Sequence, residues 1–144
     1  MIVLVLLWLP LAGAAQPAYD PALAKELGAD AYGMRPYVMA FLRKGPNRPS
    51  DPEKAALLQR SHLDNIHRLA SQGKLLLAGP FSDGGELRGI YLFMVSDLDE
   101  ARRLTESDPA VQAGSLILEL HPWYGPAGLM QLPQIQARVT EKQI

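Results

Sequence analysis

Three short stretches of this chain are apolar on both faces of an extended backbone, a pattern that an isolated sheet does not satisfy. Tyr37 to Leu42, Lys74 to Phe81 and Leu87 to Val95 are rich in aromatic and branched residues, the composition of strands. Side chains alternate along a strand, so in the third stretch Leu87, Tyr91, Phe93 and Val95 point one way while Ile90, Leu92 and Met94 point the other. A sheet made of such strands has two faces to cover. A fourth strand is expected over Leu116 to His121, where Pro122 ends the run.

Helical segments separate these strands. Asp51 as N-cap, Pro52 at the first position and Gly73 as a stop bound the longest element. Asp97 caps a second helix running to about Glu106, with Glu100 three residues on in the manner of a capping box. Ser82-Asp83-Gly84-Gly85 is a turn between the second and third strands, which therefore pair as an antiparallel hairpin. Strand, helix, strand, strand, helix, strand is the split βαβ plan. It predicts a ferredoxin-like α+β fold whose four-stranded antiparallel sheet carries both helices on one face. Two helices leave the second face bare. A sheet from another copy of the chain covers it most economically, giving a homodimeric α+β barrel; the tail from Ala127 folding over the sheet, or reaching across to the partner, is the alternative.

The chain of 144 residues is 48% hydrophobic and 20% charged, suited to one domain with one core. Its formal net charge is -1 and its cations are scattered, so no nucleic-acid partner is expected. Ile2 to Leu11 is an uncharged apolar run followed by Ala12, Gly13, Ala14 and Ala15, the pattern of a secretory signal peptide. The run is shorter than the roughly 20 apolar residues that span a bilayer. Export to the periplasm or the medium is therefore expected, with no stable membrane anchor after leader removal. The boundaries are a leader over 1–15, an extension over 16–36 with a short helix behind Asp20-Pro21, a domain over 37–126 set off by Arg35-Pro36, and a tail over 127–144. The chain has no cysteine, which excludes disulfides, thiolate catalysis and Cys-ligated metal.

The remaining chemistry is sparse. Stepping the long helix at about 100° per residue puts Ala55, Leu58, Leu63, Ile66, Leu69 and Ala70 on one arc, with His62 inside it and His67 at its edge. A buried polar ring needs a partner, since an unpaired one costs about 1–3 kcal/mol. His62 is therefore either satisfied structurally or the lining of a pocket. His62 and His67 are five residues apart rather than four, and no phosphate-binding glycine loop occurs, so neither a metal nor a cofactor is expected. Ser61 lacks the elbow of a serine nucleophile. General acid–base chemistry is left, with an imidazole held by a carboxylate. Asp108 is the candidate partner. Standing before Pro109, it also reads as the N-cap of a short turn closed by Gly114, and one carboxylate can do both. Asp83 is a turn residue first. Arg35, Arg43 and Lys44 either favour an anion near a site or simply meet solvent.

His62 within RSHLDNIHRL, the segment Gly73 to Pro80, Asp108-Pro109 with Gly114, and Pro122-Trp123 occur in that order. Together they make residues 37 to 126 resemble the YciI-like (YCII-related) family. The resemblance implies a dimeric ferredoxin-like barrel and a His–Asp pair, here His62 and Asp108. That family includes a dehydrochlorinase acting on a chlorinated hydroxyquinol, and the wider barrel superfamily includes muconolactone isomerase and antibiotic monooxygenases, so the resemblance selects no single reaction. The expectation is a cofactor-independent lyase or isomerase. In it His62 serves as acid and base, Asp108 orients it, and a small cyclic or aromatic substrate lies between helix and sheet. A non-catalytic dimeric module binding a small ligand in the same pocket is the alternative; a structural dimer is a third.

Overall fold

The computed structural model describes residues 18–142, so the leader expected over 1–15 lies outside the described residues. The strands are β1 (Met34–Lys44), β2 (Leu75–Pro80), β3 (Leu87–Phe93) and β4 (Leu116–Pro126). They lie side by side as β2-β3-β1-β4, every neighbouring pair antiparallel. Helices α1 (Pro21–Glu26), α2 (Pro52–Ser71), α3 (Leu98–Glu106), α4 (Pro109–Gln112) and α5 (Leu132–Val139) complete the chain, with a 3-10 turn over Ala127–Gln131. This is the ferredoxin-like α+β plan that the order of apolar runs predicts.

The long helix α2 forms for reasons local to its sequence. Asp51 Oδ1 accepts the Lys54 N–H at 2.9 Å, Pro52 opens the first turn, and Gly73 follows with φ 66°, a left-handed backbone that side chains disfavour. Its buried residues are His62, Asn65 and Leu69. Ala70, expected on the buried arc, is exposed, because the contact stripe runs through Leu69, one step of about 100° away. Asn65 takes a place in that stripe because its carbonyl accepts from Arg68 Nη2 at 2.6 Å and Ser107 Oγ at 3.2 Å. Asp97 caps α3 by accepting the Glu100 N–H at 2.7 Å. The reciprocal half of the expected capping box is missing. Glu100 instead accepts from Lys74 Nζ at 2.8 Å, a charged donor in place of a neutral amide.

Two strands outrun their expected ends. Pro36 lies inside β1, opposite Tyr124, and Pro122 lies inside β4, opposite Val38. Neither costs a ladder bond. The β1–β3 pairing begins only at Val38, so one edge of β1 is free at Pro36, and β4 is itself an edge strand, where proline is tolerated.

The sheet has a separate core on each face. Val38, Ala40, Leu42, Tyr91 and Phe93 point toward the helices and meet Leu69, Ala101 and Ala110. On the opposite face Tyr37, Leu76 and Leu92 are buried beneath Leu129, Met130 and Leu132 of the tail. The tail thus folds over the sheet of its own chain, one of the two alternatives to a partner sheet. It reaches only part of that face: Phe41 and Ile90 stay half-buried, and Ile117 is 50% exposed.

Candidate active site

Three elements converge behind α2. Asp108 begins α4, and its Oδ1 accepts the Ala110 N–H at 2.9 Å, the N-cap role read from the Asp-Pro step. Its second oxygen is free for another partner and takes one: His62 Nδ1 lies 2.8 Å from Asp108 Oδ2. One carboxylate therefore caps the turn and orients the ring. Both side chains are withdrawn from solvent, His62 at 8% exposure and Asp108 at 0%.

Tyr91, on β3, completes the cluster. Its hydroxyl is 3.2 Å from Asp108 Oδ2 and 3.4 Å from His62 Nε2, and its ring stacks near that of His62 with a centroid separation of 6.2 Å. An ionised carboxylate only accepts, so Nδ1 carries a hydrogen toward Asp108, and in the neutral ring Nε2 is the nitrogen with the lone pair. Burial, reinforced by the adjacent Asp108 charge, pushes the Tyr91 phenol well above its ordinary value. It therefore stays protonated and can donate. No sequence motif marks Tyr91, but the rule applied to His62 does. A tyrosine among Phe93 and Val95 on the helix-facing side of a strand brings a hydroxyl that must find a partner.

A cavity of about 370 Å³ opens beside this cluster, at the small end of the range of about 300–1,000 Å³ for small-molecule sites. His62 and Tyr91 line its buried end, Leu58, Ile66, Leu116 and half-buried Arg88 its walls, and exposed Arg48 and His67 its solvent end. His67, placed by phase at the edge of the arc, reaches the cavity mouth.

The other sequence candidates lie elsewhere. Asp83 accepts the Gly85 N–H at 3.0 Å within its turn. Arg35 binds Leu27 O at 2.9 Å and lies over the Tyr37 ring, Arg43 pairs with Glu119 at 2.7 Å, and Lys44 sits 3.6 Å from Glu86. His121 meets Glu119 at 3.0 Å on the opposite sheet face. Among the described residues no three His, Cys, Asp or Glu side chains gather as a metal-ligand set, and no helix is long and apolar enough to cross a membrane.

The chain is 34% identical over 62 residues to the uncharacterized protein YjpA of Bacillus subtilis, a stretch that covers 43% of this chain and 71% of YjpA. Among solved structures it is similar to 5-chloro-2-hydroxyhydroquinone dehydrochlorinase (TftG) from Burkholderia phenoliruptrix in complex with 2,5-dihydroxybenzoquinone. That likeness has 20% identity and a TM-score of 0.46, covering 60% of this chain and 92% of the other. The family model of the YCII-related domain matches residues 39–124, a span that includes His62, Tyr91 and Asp108. The chain belongs to the YCII-related domain family.

Proposed function

We propose that this protein is a cofactor-independent lyase or isomerase acting on a small cyclic or aromatic substrate, with His62 as its general acid and base. One observation carries the reading: a buried histidine, held by an aspartate at 2.8 Å, lines a cavity of substrate size. His62 Nε2 takes a proton from a substrate carbon or hydroxyl, and the imidazolium that forms is stabilised by Asp108 across Nδ1. The same nitrogen returns the proton to a different atom in an isomerisation, or to the departing group in an elimination. Tyr91, whose hydroxyl donates to Asp108 Oδ2 at rest, turns that hydrogen to the oxygen on which charge develops.

The test is turnover of a panel of small hydroxylated aromatics by folded His62→Ala protein. A loss of about 10²–10⁴ in rate is expected for removing a general acid–base group. Unchanged turnover ends the proposal. If the wild-type protein binds the panel but turns none of it over, the site belongs to the alternative, a non-catalytic binding module.

A homodimer formed on the uncovered part of the second face belongs to the same proposal. Support comes from Ile117 at 50% and Phe81 at 40% exposure next to half-buried Phe41 and Ile90. Light scattering on Ile117→Asp should then report monomer where the wild-type chain reports dimer, and a monomeric wild type removes the assembly. Export rests on the apolar run Ile2 to Leu11; recovery of only full-length chain, retained inside the producing cells, would refute it.

A further inference from the structure

Two arginines line the cavity, exposed Arg48 and half-buried Arg88, and among the described residues neither is in an ion pair with a carboxylate. Arg48 stands on the loop after β1. That loop is pinned by backbone bonds, Gly45 N–H to Ser115 O at 2.9 Å and Asn47 N–H to Gly114 O at 3.0 Å. Only glycine permits so close an approach, because a Cβ at position 45 would lie 2.1 Å from Gly114 O. Arg88 arrives by a different route. Strict alternation along β3 would point it with Ile90 and Leu92 to the opposite face. The β1–β3 register, however, jumps from Leu42↔Gly89 to Arg43↔Leu87, which leaves Arg88 as the extra residue of a bulge. A bulge re-aims a side chain, and Arg88 lines the cavity.

Each guanidinium spends little of its capacity on the protein. Arg48 Nη1 donates to Ser115 O at 3.4 Å and Arg88 Nη1 to Gly85 O at 3.2 Å, out of five N–H groups that an arginine offers. Among the described residues the side-chain carboxylates in ion pairs go to Arg43, Lys44, His62, Lys74 and His121. The cavity thus has an apolar body, a proton-transfer group at the buried end, and two lining guanidinium groups that no carboxylate pairs among the described residues, Arg48 being at the open end.

We propose that Arg48 and Arg88 bind a carboxylate of the substrate, so that the molecule accepted is a small cyclic carboxylic acid oriented with its anion at the mouth and its reacting atoms at His62. The assignment rests on reading the cavity as the substrate site. Guanidinium groups suit it because they offer paired N–H donors to the two oxygens of a carboxylate.

The probes are benzoate and its neutral counterpart benzamide, titrated calorimetrically into the full chain. Benzoate should bind and benzamide should bind at least about tenfold more weakly, the scale of one hydrogen bond to a charged group. Arg48→Gln and Arg88→Gln should each weaken benzoate by a similar factor, with circular dichroism confirming the fold, and added salt should weaken it further. Absence of benzoate binding, equal binding of the two probes, or full benzoate affinity in both variants overturns the assignment. His62→Ala separates the two ideas. If that variant binds benzoate through the arginines yet keeps full turnover, the acid–base reading fails and the anion site stands.

Discussion

The two faces of the sheet are closed by different means. The helix side is covered by α2, α3 and α4, and within its packing lie His62, Asp108 and Tyr91, each bonded to another of the three. The tail side is covered at one end by Leu129, Met130 and Leu132, while its other end carries the half-exposed chain of Arg43, Glu119 and His121. Ion-paired side chains occur on both faces, but only on the first is such a pair buried, His62 with Asp108. Chemistry that depends on a fixed angle needs such packing. The ion pairs of the second face meet water and can rearrange at little cost.

The contrast should be widest in the two cores. Phe93→Ala, at a fully buried position of the helix side, should cost about 3–5 kcal/mol in urea unfolding. Leu132→Ala, in the partly buried tail, should cost only about 1 kcal/mol, since less apolar surface is lost. Comparable losses would mean that the tail is as integral as α2. Asp108→Asn comes next, at about 1–3 kcal/mol by the same measurement. Its amide nitrogen, placed toward His62, would donate to Nδ1 and move the ring hydrogen to Nε2, so turnover should fall far more than stability does. Retained turnover would show that the ring needs no carboxylate.

A smaller effect is expected in alkali. The Tyr91 pKa is raised on folding by burial and by Asp108, so its contribution to stability is complete below the ordinary phenol value of 10.0 and is lost as pH rises above it. Comparing urea midpoints at about pH 8 and about pH 11, Tyr91→Phe should lose less stability than wild type; the tyrosine share of the loss that remains belongs to Tyr37, raised chiefly by burial, and Tyr124, raised chiefly by its hydrogen bond to Asp30. An identical loss in both proteins would remove Tyr91 from the account. Smallest of all is Glu119→Gln on the second face. Arg43 and His121 lower the Glu119 pKa, so its contribution is present at neutral pH and lost as pH falls through the lowered value. Because the group is exposed, the variant's neutral-pH unfolding midpoint should be indistinguishable from wild type, and a clear drop would make this face more ordered than its exposure implies.

Local codes made much of the site legible in advance. Helical phase singled out His62, and the Asp-Pro step located Asp108 at a turn, because both signals depend on a few neighbouring residues. The strand order followed from the alternation of apolar runs and caps. The loop from Arg43 to Ser50, with Arg48 among its three cations, reads as turn chemistry near a possible site entrance or as a solvated basic loop, and the contact that places it joins Gly45 to Gly114, 69 positions apart; Arg88 was hidden because a bulge reverses the side alternation assigns. The prolines at 36 and 122 read as strand ends because nothing local says that one edge of their strands is unpaired. The choice between tail and partner as cover for the second face was open since both satisfy the same apolar residues.

The division of labour between the two oxygens of Asp108 has a dynamic consequence. Any fluctuation that opens the first turn of α4 releases the Ala110 amide, shifts the carboxylate and frees the imidazole in the same event, so the fraction of molecules with an oriented base is tied to a local opening equilibrium. Hydrogen exchange at the single amide of Ala110 therefore doubles as a clock for the readiness of His62.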